Sequence, residues 1–577
     1  MKIFVAIAAC APLAAALWPI PSSYTSGNTT LWIEDSVKIT YSGANQTSSN
    51  SSSSSSGSVS SQMIDLAIAR TRSSIFDTSF VPWKFHPRNS DFEPSTESKQ
   101  CINSIKLVQT QASDANSTTP LDDVLDESYT LSVPTSGDVI ITAPNTIGLV
   151  YGLTTFSQLF FKHTQGGSYT SLAPVQISDS PKFSHRGLNM DMARNWMPVD
   201  VVKKMMDALA FNKFNRFHMH ITDAQSWPLE VPSVPELSAK GAYGTEFVYS
   251  ADDLQDMQSY GQLLGLESFI EIDMPGHTSS IWFSHPELIA AFNIQPDWDN
   301  YCAEPPCGTL KLNDSAVGDF LDKVLGDVLP RSKPYSSYFH AGGDEVNPNA
   351  YLFDETVMSN DSAVIQPLMQ KFVDRNHDQI RKAGLTPIAW EEMLLQWNLT
   401  LGDDVLIQTW QTDEAVAQST AKGYKTLAGN YNYWYLDCGH GQWLNFYPGT
   451  SFETYYNSAA GPFADYCSPL KNWRLMYAYD PLQGVPADQQ HLVVGGEAHI
   501  WAEQTDASNL DTIVWPRAAA AAEVLWSGAK DAEGGNRSQI DAAPRLSDLR
   551  ERLVARGVRA QSIQMPFCTQ NGTQCAL

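Results

Sequence analysis

The second half of the chain repeats one pattern, in which a short apolar run ends in polar or aromatic residues and a helix-like stretch follows. Short apolar runs bounded by polar residues are typical of buried strands. Helices are predicted between the runs, for example at 201–211 and 516–526. The eight predicted strands lie at 185–191, 216–223, 268–273, 338–340, 386–391, 405–410, 426–428 and 492–497.

Eight strand–helix repeats predict an α/β fold of the (β/α)8 type, the TIM barrel. In such barrels the polar residues that follow each strand meet at one end, where the chemistry takes place. A doubly wound parallel sheet is the alternative interpretation. It would require a glycine-rich phosphate-binding loop after its first strand, and the sequence has none there.

The region before residue 179 has a different pattern. Strand-like runs at 128–133 and 138–143 precede an apolar helical period at 147–161. Strands with a helix ahead of the barrel predict a small α+β domain. Residues 48–61 are nearly all serine, which predicts an exposed insert that adds nothing to a core.

The first residues of the chain are typical of a signal peptide, with Lys2, an apolar stretch at 3–13 and small residues at 14–16. No later segment has the roughly 18 consecutive apolar residues of a membrane helix. We therefore expect a secreted, extracellular protein. Its predicted parts are the signal peptide at 1–16, an N-terminal α+β domain at 17–178, the barrel at 179–560 and a disulfide-stapled C-terminal tail at 561–577.

The chain is strongly acidic, with 37 Lys and Arg against 63 Asp and Glu and a net charge of −26. Such a surface repels nucleic acid and anionic lipid, so we expect neither a nucleic-acid nor a membrane partner. The simplest consequence of this net charge is that it keeps the protein soluble.

The cysteines and the N-glycosylation sequons are typical of a protein that is secreted through an oxidising compartment and glycosylated there. Eight cysteines are present, and Cys10 lies in the predicted signal peptide. Three local pairings are the economical prediction for the rest, and they leave Cys101 as a buried thiol. The predicted disulfides are Cys302–Cys307, Cys438–Cys467 and Cys568–Cys575. The predicted glycosylation sites are Asn28, Asn45, Asn50, Asn116, Asn313, Asn360, Asn398, Asn536 and Asn571.

Two adjacent carboxylates, Asp344 and Glu345, follow the strand at 338–340 and a Gly-Gly pair. At a strand end such neighbours can approach one bound molecule from two directions. One carboxyl can then transfer protons while the other stabilises positive charge. The structural alternative is a strand-to-helix junction, with Asp344 as a helix cap.

The histidines allow a second hypothesis. His218 and His220 are two apart on one strand and therefore face the same side. With His277, His340 and Asp344 they could bind a metal ion, which would make the protein a metal-dependent hydrolase. The alternative is that barrel-lining histidines hydrogen-bond to carboxylates and to one another.

Aromatic residues crowd the same strand ends. Flat apolar rings surrounded by polar groups suit a sugar ring, which has C–H faces and hydroxyl edges. A non-catalytic carbohydrate-binding protein would need the same rings. The residues are Trp390, Trp410, Trp434, Tyr435 and Trp501.

These stretches together resemble glycoside hydrolase family 20, the β-N-acetylhexosaminidases, and look most like its secreted fungal members. His-Ala-Gly-Gly-Asp-Glu at 340–345 resembles the catalytic signature of that family. The stretches at 126–131 and 151–156 resemble the domain that precedes its barrel. Further similar stretches lie at 186–191, 218–223, 271–277, 434–437 and 496–503.

The resemblance implies an exo-acting hydrolase that removes terminal β-linked N-acetylglucosamine or N-acetylgalactosamine with retention and without a cofactor or metal. In this family the 2-acetamido oxygen of the substrate attacks the anomeric carbon, because there is no protein nucleophile. Chito-oligosaccharides or glycans that end in N-acetylhexosamine are the expected substrates. The resemblance leaves a homodimer open.

Residue roles follow from the same motifs. The resemblance implies that Glu345 is the general acid and then the base, and that Asp344 orients the acetamido group and stabilises the oxazolinium intermediate. Tyr435 would hydrogen-bond the acetamido oxygen, and Asp223 and His277 would form the relay to Glu345. The implied sugar-binding residues are Arg186 at the 3- and 4-hydroxyls, Trp390, Trp410 and Trp501 as pocket walls, and Asp437 and Glu503 near the 6- and 4-hydroxyls.

Overall fold

The computed structural model describes residues 16–43, 58–111, 125–445 and 463–575. The predicted signal peptide therefore lies outside the described residues except for Ala16. Most of the serine-rich insert also lies outside them, and so do the sequons at Asn45, Asn50 and Asn116.

The N-terminal region folds into a six-stranded sheet with the strand order β1-β2-β4-β3-β6-β5. Alternate residues of β3 and β4 are buried, so one face of the sheet packs against two helices, Val59–Phe76 and Thr146–Ser157. Its strands are β1 Ser23–Ser42, β2 Cys101–Gln109, β3 Tyr129–Val133, β4 Val139–Ala143, β5 Phe161–Lys162 and β6 Ser168–Asp179.

The second region is a closed barrel of eight parallel strands, in the order β12-β13-β14-β15-β16-β7-β8-β9. A two-stranded hairpin, β10 with β11, lies in the loop after β9. The strands are β7 His185–Asp191, β8 Arg216–Thr222, β9 Glu267–Ile272, β10 Ile289–Ala290, β11 Thr309–Leu310, β12 Tyr338–His340, β13 Thr386–Trp390, β14 Leu406–Gln408, β15 Thr426–Ala428 and β16 Val493–Ile500.

The barrel strands are buried along nearly their whole length, as expected for a parallel sheet that helices cover on the outside. The predicted fold class, a (β/α)8 barrel preceded by an α+β domain, is confirmed. Outside the N-terminal region, the α-helices of the described residues are Val199–Phe211, Glu236–Gly241, Ala251–Leu264, Ser315–Ser332, Ser362–Lys382, Glu391–Leu395, Ala415–Ala421, Tyr431–Trp434, Trp473–Ala478, Leu510–Val514, Arg517–Ser527, Gln539–Ala555 and Pro566–Gln570.

Local sequence explains where the helices begin and end. Before Ala251–Leu264, the hydroxyl of Ser250 accepts the N–H of Asp253, and the Asp253 carboxylate accepts the N–H of Ser250. Gly265 then ends the helix with a left-handed φ of 80°. Within the described ranges, none of the helices combines the length and the apolar character that a bilayer crossing requires.

Disulfide bonds join Cys302 to Cys307, Cys438 to Cys467 and Cys568 to Cys575. These are the three pairings predicted from the sequence. Cys101 is a free thiol, but it is half-buried rather than buried, because it lies at the beginning of β2.

Candidate active site

A cavity of about 830 Å³ opens at the C-terminal ends of the barrel strands. The loops that follow the strands form its walls, so residues far apart in the sequence meet there. Of the residues predicted for catalysis and sugar binding, those that line it are Asp223, His277, Asp344, Glu345, Trp390, Trp410, Tyr435, Trp501 and Glu503.

Asp344 and Glu345 follow β12 through two glycines that no other residue could replace easily. Gly342 and Gly343 have φ values of 67° and 108°, and a Cβ at either would overlap a neighbouring side chain. Glu345 itself has a φ of 52°, a strained conformation of the kind found at functional sites. The Asp344 side chain is 13% exposed and that of Glu345 is 31% exposed, so Glu345 reaches further into the open cavity.

His277 joins Glu345 to Asp223. Its Nε2 lies 3.3 Å from a Glu345 carboxylate oxygen, and its Nδ1 lies 3.1 Å from a carboxylate oxygen of Asp223. Burial opposes protonation of the ring, but Asp223 and Asp344 outweigh it and hold the pKa of His277 well above its usual value. The imidazolium form is therefore favoured beside the carboxylate pair.

The deeper histidines surround a buried carboxylate that the sequence analysis did not single out. Glu271 on β9 lies 2.6 Å from Nδ1 of His220 and 3.0 Å from Nδ1 of His340. It also lies 3.0 Å from Nε2 of His218, and it accepts the indole N–H of Trp390 at 2.7 Å. This arrangement supports the interpretation that the barrel histidines hydrogen-bond to carboxylates.

Four aromatic rings form one wall of the cavity. Trp410 and Tyr435 are nearly parallel, with 10° between their planes and 6.2 Å between centroids. Trp501 lies 6.1 Å from Tyr435 and 6.2 Å from Trp390. Trp434 is fully buried behind this wall and donates its indole N–H to the Met476 carbonyl, so it is a core residue rather than a pocket residue.

Two adjacent glutamates hold Trp410 in place. The indole N–H of Trp410 donates to the Glu392 carboxylate at 3.0 Å, and its backbone N–H donates to Glu391 at 3.0 Å. Burial raises the pKa of Glu391 to about 7. Burial, together with the charges of Asp344 and Glu391, raises the pKa of Glu392 well above its usual value. The aromatic wall is therefore held in place by two carboxyl groups, Glu391 and Glu392, that are protonated at a higher pH than usual.

The expectation for Arg186 is wrong. Arg186 is the second residue of β7, so it lies at the opposite end of the barrel from the cavity. It is fully buried there and forms two hydrogen bonds of 2.8 Å with Glu127 of the N-terminal region. Arg186 therefore joins the N-terminal sheet to the base of the barrel.

The arginine that lines the cavity is Arg194, three residues after β7 ends. It lies 3.1 Å from Asp223, 3.0 Å from Glu304 and 3.9 Å from Glu503, and its guanidinium covers the Trp501 ring at 5.2 Å. Burial raises the pKa of Glu503 well above its usual value, although Arg194 opposes the shift. The direction of β7 could have identified Arg194 from the sequence, because residues that follow the C-terminal end of a barrel strand lie at the cavity and residues at its beginning do not.

Asp437 lies beside the cavity but is not among the residues that line it. It accepts the backbone N–H of Trp501 at 3.4 Å. Burial raises its pKa to about 7. Asp437 is half-buried, and its charge acts on Tyr435, Tyr466 and Glu503, which line the cavity. Its direct contact with the sugar stays a prediction.

The outer rim of the cavity comes from two loops that the sequence analysis did not connect with the site. Trp298 lies between β10 and β11, close to the disulfide Cys302–Cys307. Trp443, which is 37% exposed, and Tyr466 lie in the loop that Cys438–Cys467 closes. Each rim loop is thus closed on itself by a disulfide.

A barrel with two carboxylates and an aromatic wall in one cavity at the C-terminal strand ends is the arrangement of a glycoside hydrolase. Residues 183–529 match the family model described as glycosyl hydrolase family 20, catalytic domain. Residues 17–159 match a second model, described as beta-acetyl hexosaminidase like. The chain belongs to glycosyl hydrolase family 20, and the resemblance seen in the sequence is confirmed.

Relatives and solved structures agree. The chain is 40% identical to a beta-hexosaminidase of Arthroderma benhamiae, over 97% of this chain and 97% of the relative. It is 33% identical to a chitooligosaccharidolytic beta-N-acetylglucosaminidase of Ostrinia furnacalis, over 78% of this chain and 75% of that one. A family 20 exo beta-N-acetylglucosaminidase from Vibrio harveyi, solved with N-acetylglucosamine, shares the fold. Its TM-score is 0.71 at 21% identity, over 96% of this chain and 79% of that chain.

Proposed function

We propose that this protein is an exo-acting, retaining β-N-acetylhexosaminidase that releases terminal β-linked N-acetylglucosamine or N-acetylgalactosamine. One observation supports this most directly. The aromatic wall of Trp390, Trp410, Tyr435 and Trp501 lies in the same cavity as Asp344 and Glu345. The methyl group of an acetamido substituent fits between apolar walls, and the N–H of the same substituent donates well to a carboxylate.

In the first step, Glu345 donates a proton to the glycosidic oxygen while the acetamido oxygen of the substrate attacks the anomeric carbon. The bond from that carbon to the leaving group breaks, and a cyclic oxazolinium ion forms. Asp344 accepts the hydrogen bond of the acetamido N–H and stabilises the positive charge. Tyr435 orients the acetamido oxygen.

In the second step, the Glu345 carboxylate takes a proton from water, and the water oxygen attacks the same carbon. The oxazolinium ring opens, and two inversions give net retention. His277 and Asp223 hold Glu345 in position during both steps. The fixed carboxylate–imidazole contacts described above support this role.

We assign the sugar hydroxyls to Arg194 and Glu503, with Arg194 in the place first expected for Arg186. Arg194 is covered by Trp501 and held by carboxylates, so its guanidinium has a fixed direction. Asp437 also holds the backbone N–H of Trp501 at 3.4 Å, and its predicted contact is with the hydroxyls on the 6- and 4-hydroxyl side of the sugar. A sugar bound in this way has its non-reducing end against the base of the cavity, which fits exo action.

We expect substrates that end in N-acetylhexosamine, including chito-oligosaccharides, and no nucleic-acid or membrane partner. The name of the Ostrinia relative supports the chito-oligosaccharide class. We also propose secretion and N-glycosylation. Among the described sequons, Asn571 is half-buried and five are exposed, namely Asn28, Asn313, Asn360, Asn398 and Asn536.

Paired aryl glycosides test the proposal. An aryl N-acetyl-β-glucosaminide should be cleaved at least ~10³-fold faster than the aryl β-glucoside, because only the first carries the internal nucleophile. Equal rates on the two would show that no acetamido participation occurs. Binding of the sugar without any turnover would instead favour the non-catalytic carbohydrate-binding alternative. The aryl N-acetyl-β-galactosaminide measures the preference at the 4-hydroxyl.

A further inference from the structure

Asp273 lies directly beside Asp344 and has no role in the reaction described above. It follows β9 and is 1% exposed. One of its carboxylate oxygens lies within 4.8 Å of an oxygen of Asp344 and of a ring nitrogen of His277. Gly343 donates its backbone N–H to Oδ1 of Asp273 at 2.8 Å, so the loop that carries Asp344 is anchored to Asp273.

The missing side chain at Gly342 makes this contact geometrically feasible. A Cβ at that position would overlap the Asp273 carboxylate. The absence of a side chain at Gly342 therefore lets a second carboxylate approach the first. Close approach of two carboxylates is unfavourable when both are ionised.

The hydrogen bonding of the pair is incomplete without a proton. Oδ2 of Asp273 and Oδ1 of Asp344 are both buried, and neither receives a hydrogen bond from the described residues. His277 cannot supply one, because its two nitrogens already face Asp223 and Glu345. It lies 3.8 Å from Oδ2 of Asp344, the oxygen that is not among the unsatisfied atoms.

We propose that Asp273 is a positioning residue that holds a proton and donates it in a hydrogen bond to Asp344, so that the two aspartates form a carboxylic acid–carboxylate pair with one negative charge. This inference rests on the role proposed for Asp344. The proton stays on the pair throughout the reaction. It fixes Oδ1 of Asp344 and leaves Oδ2 free to accept the acetamido N–H.

Electrostatics around the pair assigns the proton to Asp273. Burial and the neighbouring charge of Asp344 raise the pKa of Asp273 well above its usual value. Burial also raises the pKa of Asp344, and His277 opposes the shift of both aspartates. The hydrogen bond between the two carboxyls raises the pKa of Asp273 further and lowers that of Asp344, which places the proton on Asp273. Glu271 and Glu345 also face the pair, and their negative charge favours protonation further. The remaining titratable groups beside it, Glu392 and Tyr435, have pKa values raised by the charge of Asp344.

An amide at position 273 is the sharpest test, because Asn has the shape of a protonated Asp. Its carbonyl can accept the Gly343 N–H, and its NH₂ can donate to Asp344. We expect Asp273→Asn to keep kcat on an aryl N-acetyl-β-glucosaminide within about fivefold of wild type. Asp273→Ala should lower kcat by at least ~10²-fold, because Asp344 loses its fixed orientation.

The acid limb of the pH profile of kcat/KM distinguishes a positioning role of Asp273 from a merely structural one. Replacing a neutral acid by a neutral amide should leave that limb within about 0.3 pH unit of wild type. If Asp273 were an anion, its replacement by Asn would remove a negative charge beside Asp344. The limb would then move down by about one pH unit or more, which would overturn the proposal.

Two further outcomes would also reject it. An Asp273→Asn variant as inactive as Asp273→Ala, at unchanged melting temperature, would show that an anion is required. Full activity of Asp273→Ala would show that the pair is irrelevant. If the variants do not fold, the wild-type protein is labelled with 13C at its aspartate carboxyls, which excludes the glutamates, and is measured at about pH 9, above the range in which Asp437 titrates. The infrared band of a protonated aspartic acid under these conditions supports the pair, and its absence overturns it. Normal turnover by Asp344→Asn would instead reject the proposed function itself.

Discussion

Arg194 and Asp223 form a buried ion pair, with 3.1 Å between Nη2 of the arginine and Oδ2 of the aspartate. The same aspartate contacts His277 through its other oxygen. Burial opposes ionisation of Asp223, but Arg194 and His277 outweigh it and hold its pKa well below the usual value. One carboxylate therefore connects the arginine assigned to the sugar with the histidine beside Glu345.

The ion pair of Arg194 with Asp223 leads to the first prediction, which compares Arg194, just after β7, with Arg186, near the beginning of the same strand. We expect Arg194→Lys to lower kcat/KM on an aryl N-acetyl-β-glucosaminide by about 10²-fold, a loss of roughly 3 kcal/mol of transition-state stabilisation. Lysine cannot reproduce the planar fork that contacts several carboxylates at once. Steady-state kinetics on the purified variant measures the effect.

Arg186→Lys is the matched control. Because Arg186 bonds Glu127 at the base of the barrel, we expect its kcat and KM to stay near wild type while the free energy of unfolding falls by about 3 kcal/mol. Chemical denaturation measures this loss. A normal Arg194→Lys variant together with an Arg186→Lys variant that no longer binds the sugar would restore the original assignment of Arg186.

The carboxylate pair leads to the second prediction. Glu345→Gln removes the transferable proton, and Asp344→Asn removes the negative charge that faces the oxazolinium ion. We expect each variant to lower kcat by at least ~10²-fold on the aryl N-acetyl-β-glucosaminide. Unchanged melting temperatures would show that the loss is chemical. Near-normal turnover by both variants would contradict the assignment of the active site.

Much of the barrel could be predicted from the sequence because each strand is a short apolar run with a polar end. His185–Asp191, Tyr338–His340 and Thr426–Ala428 agree with their predicted bounds residue for residue. The sequence placed Asp344 and Glu345 at a strand end for the same reason. Periodicity is a local property, and these features depend only on local residues.

The predictions from sequence were wrong or incomplete where the place of a residue depends on the direction of its strand or on contacts with residues far away in the sequence. Arg186 lies in a family-like motif, but its position at the beginning of β7 excludes it from the cavity. Glu271 could not be distinguished from any other strand residue, because its histidine partners lie on other strands. The rim residue Trp443 comes from a loop that a disulfide between distant cysteines closes, and no local pattern places that loop beside the barrel end.

Chelation provides the third prediction. The barrel histidines His218, His220 and His340 each already face the Glu271 carboxylate through one ring nitrogen, so the cluster does not need an ion to hold that carboxylate. We expect dialysis against a chelator to leave kcat/KM within about twofold of the untreated protein. A control sample receives divalent metal after dialysis. Loss of activity that added metal restores would favour the metal-dependent hydrolase.

The last prediction concerns stability and pH, and it depends on Glu391. This carboxyl is 2% exposed, and its pKa is about 7 in the folded protein against an ordinary value of 4.5. Since the folded state holds the proton more tightly, the contribution of Glu391 to stability is complete below pH 4.5. It is lost as the pH rises through 7, by roughly 3 kcal/mol.

We therefore expect the free energy of unfolding to fall between pH 5 and about pH 8, and Glu391→Gln to reduce that fall because the amide does not titrate. Urea denaturation at both pH values measures it, and Glu533→Gln is the control because Glu533 is exposed. The comparison is made between variants, since the pKa of the half-buried Asp437 is also raised to about 7. An identical pH dependence in wild type and Glu391→Gln would show that Glu391 is already ionised in the folded protein at pH 5.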